Sequence, residues 1–120
     1  MVSLDVKNAF NTIHREAFLD GVSQDFPELL KWTSWAYGQP SKLYYKDACF
    51  ASTNGTKQGE PMGGALFSIG TNATNKFMSN AFKEVSMFAF FDDYYLLGEQ
   101  TETMRAVKTL SDRLKQIGML

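Results

Sequence analysis

Residues 85–97 read Val-Ser-Met-Phe-Ala-Phe-Phe-Asp-Asp-Tyr-Tyr-Leu-Leu, two apolar runs separated by a pair of aspartates. The runs at 85–91 and 94–97 are aromatic and aliphatic, which favours β-strands. We predict a tight β-hairpin with Asp92 and Asp93 at its turn. Two-residue hairpin turns favour Asn-Gly or Asp-Gly, and adjacent carboxylates also repel each other. The turn therefore breaks a folding rule, and such exceptions tend to mark functional sites.

Outward from this hairpin, the chain alternates helical spacing with short strand-like runs. The pattern predicts a strand at 1–6, a helix at 13–19 ended by Gly21, a helix at 27–38, a hairpin within 41–56, a helix at 61–81 and a helix at 101–117. This order predicts an α+β fold with helices packed on one face of an antiparallel sheet. Trp32 and Trp35 are expected in the core.

Three glycines lie around the start of the predicted helix at 61–81, at positions 59, 63 and 64. Each costs up to about 1 kcal/mol of helix propensity if it is helical. Glycine is useful where a ligand or another part of the chain comes very near the backbone. We therefore expect a close approach at this point.

The composition indicates a globular protein with one core. The chain has 120 residues, of which 44% are hydrophobic and 21% charged, so wholesale disorder is excluded. The most apolar segment is split by the two aspartates and is too short to span a membrane. The first residues lack the pattern of a signal peptide, so we expect an intracellular protein with no membrane partner, in the nucleus or the cytoplasm.

Charge and cysteine content exclude other classes of site. Cys49 is the single cysteine, which rules out an intrachain disulfide and a cysteine-rich zinc site. The net charge is −1, so no overall field attracts the chain to nucleic acid. A nucleic-acid partner would have to be recruited by local geometry.

Carboxylates in this pattern suggest a divalent cation. A cation held by Asp92 and Asp93 would remove their repulsion. Asp5 ends the first predicted strand and is the best third ligand. Two cations roughly 3.5–4 Å apart could activate a primer hydroxyl and stabilise a leaving pyrophosphate. The alternatives are a solvated acidic turn and, for Asp5 alone, an ordinary surface acid.

Three segments resemble the first three palm motifs of reverse transcriptases, in the same order: LDVKNAFNTI at 4–13, GTKQGEPM at 55–62 and FFDD at 90–93. With ALFS at 65–68, they are most similar to the non-LTR retrotransposon branch. The resemblance implies a polymerase palm-like sheet and RNA-directed DNA polymerase activity. It also implies two Mg²⁺ ions, for which Mn²⁺ can substitute, deoxynucleoside triphosphates, and an RNA or DNA template with a primer.

The resemblance also assigns the metal ligands. Asp5 and Asp92 would hold both metals, and Asp93 would complete the catalytic site. The carbonyl group of Val6 would help to bind one metal.

For the nucleotide, the resemblance makes Phe10 a steric gate against a ribose 2′-hydroxyl, which favours deoxynucleotides. Gln58 and Gly59 would form the floor of the nucleotide pocket, and Asn8 would approach the triphosphate through its backbone. The plainer interpretations are a core phenylalanine at position 10 and a polar loop entering a helix at 58–59.

The resemblance covers nearly the whole chain, so we expect residues 1–120 to form a single palm core. The fingers and thumb of such enzymes would be partners supplied by a longer chain. Glu60 stands where relatives usually have aspartate. The alternative function is a catalytically silent retroelement remnant that binds nucleic acid or a protein. A nucleotidyl cyclase is disfavoured, because its hairpin usually reads Gly-Gly-acid.

Overall fold

The structure is a computed structural model that describes residues 1–57 and 59–120. Its elements are, in chain order, β1 Val2–Asp5, α1 Ala9–Thr12, α2 Arg15–Asp25, a 3₁₀ turn Pro27–Leu29, α3 Leu30–Tyr37, β2 Ser41–Tyr45, β3 Ala48–Ser52, α4 Gly63–Ala81, β4 Ser86–Phe90, β5 Asp93–Leu97 and α5 Gln100–Gln116. The predicted α+β class is confirmed. Among the described residues, no helix combines the length and apolar character needed to cross a bilayer.

The main sheet is antiparallel, with strand order β1-β5-β4. The register places Leu4 and Ala89 on either side of Tyr94. Tyr94 and Leu96 are fully buried beneath α4 and α5. Side chains alternate across a strand, so the neighbouring positions face away from the helices. Helices therefore cover one face of this sheet, as predicted.

The opposite face of the main sheet is open. It carries the side chains of β1, β4 and β5 that alternate with the buried ones, and four of these are large and exposed: Phe88, Phe90, Tyr95 and Leu97. The same alternation places Asp5 and Asp93 on this face.

The second sheet is the hairpin of β2 and β3, confirmed within the predicted 41–56 segment. Leu43 pairs with Phe50, and the turn is Lys46-Asp47 with Lys46 at a φ of 52°. Most side chains on both faces of this hairpin are exposed. It therefore projects from the body of the protein and is joined to it at its base.

Helix α2 differs from its prediction, because it passes through Gly21 and ends at Asp25. A Cβ atom at Gly21 would lie 2.6 Å from the Cγ2 atom of Ile69 in α4. The glycine allows α2 and α4 to pack closely, and this tertiary contact outweighs its poor helix propensity. Residues 9–12 also form a separate turn of helix, α1, that precedes α2.

The prediction that Trp32 and Trp35 belong to the core is wrong. Their residues are 38% and 82% exposed. The buried side of α3 consists of Thr33 and Tyr37, and the Thr33 hydroxyl donates a hydrogen bond to the Leu29 carbonyl at 2.9 Å. The sequence shows that the helix is amphipathic but does not show which of its sides packs.

Candidate functional site

The hairpin turn between β4 and β5 lies one residue earlier than predicted. Phe90 pairs with Asp93, so the turn is Phe91-Asp92 and Asp93 is the first residue of β5. Phe91 has a φ of 53°, in the left-handed region that β-branched and bulky residues rarely adopt. Strained backbone of this kind clusters at functional sites.

The ring of Phe91 explains the glycine at position 64. A Cβ atom at Gly64 would lie 3.3 Å from the Phe91 Cε1 atom. The close approach expected near the start of α4 is therefore confirmed at Gly64. At Gly59, by contrast, a Cβ atom would meet nothing within 4 Å, so the backbone there faces open space.

Asp5 and Asp93 are brought together as direct cross-strand neighbours of β1 and β5. The ladder continues one step further, because the Val6 amide donates to the Asp92 carbonyl at 3.2 Å. Hydrogen-bonded and non-hydrogen-bonded pairs alternate in antiparallel sheets, so Asp5 and Asp93 form a non-hydrogen-bonded pair, with Cα atoms about 4.5 Å apart. Like charges in this arrangement destabilise a sheet.

Asp92 is partly buried in the turn. Burial raises the pKa of Tyr94 to about 12, with the Thr71 hydroxyl opposing the rise and the charge of Asp92 adding to it. Within residues 1–57 and 59–120, no three His, Cys, Asp or Glu side chains form a group that could hold a metal ion. The structure thus pairs Asp5 with Asp93 and does not bring Asp92 into one cluster with them. Val6 is fully buried beside the turn.

An aromatic cluster, Phe10, Phe67, Phe90 and Phe91, joins the first and third motifs. The Phe10 ring stacks on Phe67, with centroids 4.2 Å apart and planes 16° apart. It is tilted against Phe91 at 5.4 Å. Phe67 is fully buried and Phe10 is partly exposed. The Phe10 ring is therefore fixed by the core on one side and lies beside the turn that carries Asp92.

Two of the other predicted nucleotide residues, Asn8 and Gly59, have left-handed backbone conformations. Asn8 adopts a left-handed φ of 57°, and its carbonyl accepts hydrogen bonds from the amides of Asn11 and Thr12. Gly59 has a φ of 82°. Gln58 lies outside the described residues. The nucleotide roles of Asn8, Phe10, Gln58 and Gly59 stay predictions.

The structural role of Arg15 was not predicted from the sequence. This first residue of α2 binds the start of the second motif through hydrogen bonds. Its guanidinium donates to the Gly55 carbonyl at 3.1 Å, to the Ser52 carbonyl and hydroxyl at 2.8 Å each, and to the Asn54 carbonyl at 3.4 Å. Arg15 is 6% exposed, and burial lowers its pKa. No pattern in the sequence signals bonds between residues about 40 positions apart.

Gly55 makes the matching contact with the first motif. It has a φ of 72°, and a Cβ atom there would lie 2.5 Å from the carbonyl oxygens of Phe10 and Asn11. Its amide donates to the Ile13 carbonyl at 2.8 Å, and the Thr56 amide donates to Phe10 at 2.8 Å. The sequence pattern of this segment does not signal the junction. The three motifs therefore meet in one region.

Comparison with known proteins identifies the family that the whole chain resembles. The family model described as reverse transcriptase (RNA-dependent DNA polymerase) matches residues 1–120. A curated relative, the retrotransposable element SLACS 132 kDa protein of Trypanosoma brucei gambiense, is 28% identical over 127 aligned positions. The alignment covers 100% of this chain and 11% of that protein. No solved structure matches significantly. These matches confirm the predicted resemblance to the non-LTR branch.

Proposed function

Because the chain belongs to the reverse transcriptase (RNA-dependent DNA polymerase) family, we propose that it is the palm core of such an enzyme. Its site would transfer a deoxynucleotide to the 3′-hydroxyl of a primer on an RNA or DNA template. In this reaction the primer oxygen forms a bond to the α-phosphorus as the bond to pyrophosphate breaks. Fingers and thumb would come from a longer chain, since this chain spans about a tenth of the relative it matches.

The observation that carries the proposal is the direct pairing of Asp5 with Asp93. Two carboxylates opposite each other on an open face repel, and a divalent cation with oxygen ligands would offset the repulsion. Asp92 follows in the adjoining turn, and its carbonyl accepts a hydrogen bond from the Val6 amide, so Val6 lies at the same end of the sheet. From the family resemblance, we assign these four residues to two Mg²⁺ ions, or Mn²⁺ in their place; of the three carboxylates, the structure itself pairs Asp5 with Asp93. The ions would supply charge neutralisation at the phosphates and a more acidic primer hydroxyl.

The neighbouring residues would bind and select the nucleotide. Phe10 stacks on a buried ring, so it cannot swing away without losing that contact. A fixed ring beside the carboxylates suits a gate that excludes a ribose 2′-hydroxyl. The open backbone at Gly59 suits close approach of a ligand. Gln58 would complete the pocket floor, and the Asn8 backbone would lie near the triphosphate.

A silent remnant is the second candidate. It is favoured by the absence, among the described residues, of a cluster of three possible metal ligands. Such a protein would fold and bind nucleic acid or a protein without turnover. The two candidates differ in how the fold responds to a divalent cation.

A thermal melt against Mg²⁺ and Mn²⁺ tests the proposal. A ligand that binds only the native state stabilises it by about 2.7 kcal/mol at 100 times its dissociation constant. We expect the cation to raise the melting temperature of the wild type, and Asp92→Asn and Asp5→Asn to abolish that rise. Asp112→Asn, on the exposed side of α5, is the charge-matched control and should respond like the wild type. Identical responses in all four proteins would favour the silent remnant.

A further inference from the structure

The loop between β3 and α4 is held by a tyrosine that belongs to none of the three motifs. Tyr37 is the last residue of α3 and is 2% exposed. Its ring packs edge-on against Phe18, with centroids 5.2 Å apart. The guanidinium carbon of Arg15 lies 5.2 Å from the centroid of the same ring. Core contacts therefore fix the position of Tyr37 independently of its contacts with the loop.

The hydroxyl of Tyr37 acts as both donor and acceptor toward the loop. It accepts a hydrogen bond from the Lys57 amide at 3.0 Å and donates one to a carboxylate oxygen of Glu60. The Lys57 ammonium lies 5.4 Å from the ring centroid and donates to the Ala36 carbonyl at 3.4 Å. The Glu60 amide donates to the Lys57 carbonyl at 3.3 Å. One buried side chain thus holds the positions on both sides of 58–59.

We propose that Tyr37 is a positioning residue for the incoming nucleotide, because it holds both ends of the segment that carries Gln58 and Gly59. The inference rests on the proposed function, in which these two residues form the pocket floor. A loop already held in place loses less conformational freedom when a ligand binds, so the affinity is higher. The hydroxyl is essential for this role, since it bonds to the Lys57 amide and to the Glu60 carboxylate at the same time.

The test compares Tyr37→Phe with a matched control. Tyr37→Phe keeps the ring packed against Phe18 and removes the two hydrogen bonds that the hydroxyl makes, with the Lys57 amide and with the Glu60 carboxylate. We expect the Lys57 amide to exchange with solvent at least tenfold faster, and the affinity for dATP with Mg²⁺ to fall at least fivefold. Val22→Ala, a fully buried position in α2, lowers the melting temperature and leaves the loop bonds intact. It should keep the wild-type affinity for dATP.

Variants of Glu60 provide a rescue experiment. Glu60→Gln keeps an oxygen that can accept from the Tyr37 hydroxyl, so the nucleotide affinity should stay near that of the wild type. Glu60→Leu removes the acceptor and should weaken dATP binding as Tyr37→Phe does. Combining Tyr37→Phe with Glu60→Leu should weaken binding little further, since both remove one shared contact.

The outcomes separate this inference from the proposed function. If Tyr37→Phe binds dATP as tightly as the wild type, the positioning role is overturned and the proposed function stands. If Val22→Ala weakens binding as much as Tyr37→Phe, the effect is loss of stability alone, and the inference fails. If the wild-type chain does not bind dATP, the proposed function is overturned and the positioning role with it.

Discussion

Replacing Asp93 by asparagine should stabilise the metal-free protein. The substitution keeps the shape of the side chain and removes one of two carboxylates that face each other across β1 and β5. Cβ atoms of directly opposed residues are about 5 Å apart. At that separation two unit charges repel by about 0.8 kcal/mol in water, and by about 3 kcal/mol at an effective dielectric constant of about 20.

Because this pair of carboxylates is largely exposed, the expected gain in the free energy of unfolding is close to the value calculated for water. Asp5 is exposed and Asp93 partly buried, so water screens the repulsion. We expect Asp93→Asn to raise the free energy of unfolding by about 1 kcal/mol. For a chain of this size the melting temperature should rise by about 3–5 °C. Asp5→Asn should give a similar gain, and the double variant should add little, because either substitution alone removes the repulsion.

The assay is thermal or urea unfolding in EDTA at low ionic strength. At about 1 M salt the Debye length falls to about 3 Å, so the difference between Asp93→Asn and the wild type should shrink. Asp112→Asn is the control, because the Asp112 Oδ1 atom lies 3.9 Å from the Lys115 Nζ atom. Removing this carboxylate removes a weak attraction and should therefore not stabilise the protein. Destabilisation by Asp93→Asn, or a gain unaffected by salt, would refute the reasoning from the register.

Three further predictions concern the loops around the site. Gly55→Ala should lower the free energy of unfolding by more than the roughly 1–2 kcal/mol expected for Gly59→Ala, because both residues have positive φ and only a Cβ atom at Gly55 would also meet backbone atoms. Equal losses in urea unfolding would contradict this. Arg15→Gln should lower the free energy of unfolding by about 2–4 kcal/mol, because the buried guanidinium donates to the loop at 52–55. The control Arg105→Gln, at an exposed ion pair, should lower it by less than about 0.5 kcal/mol in the same urea-unfolding assay. Burial raises the pKa of the Glu60 carboxyl above its ordinary value of 4.5, so the native state binds the carboxyl proton more tightly than the unfolded state does. The free energy of unfolding should therefore fall as the pH rises above 4.5. Glu60→Gln should remove this part of the pH dependence.

Local patterns were enough to predict most of the elements and the class of fold. Aromatic and aliphatic runs located β4 and β5, and the three- and four-residue spacing of apolar side chains located α4 and α5. The contacts of β1 with β5 and of Gly55 with Phe10 and Asn11 bring the three motif segments together in space. Asp5 could be expected in the same sheet as the Asp92-Asp93 turn, because it was placed at the end of a predicted strand, and the register confirms that Asp5 lies opposite Asp93.

The errors share one physical cause, which is packing between distant parts of the chain. The turn lies at Phe91-Asp92, and not at the predicted Asp92-Asp93, because the Phe91 ring packs over Gly64 and joins the aromatic cluster. The roles of Arg15 and Tyr37 depend on partners 20–40 positions away. Propensity and spacing describe neighbours along the chain, so they carry no information about such contacts.

The projecting hairpin of β2 and β3 also has a practical consequence for protein engineering. Its Lys46-Asp47 turn lies at the far end of two strands whose side chains are mostly exposed. Exposed loop tips accept added residues with little loss of stability. A peptide tag or a fluorophore attachment site inserted between Lys46 and Asp47 would therefore leave the three motifs undisturbed, and would give the isolated domain a handle for immobilisation or distance measurement.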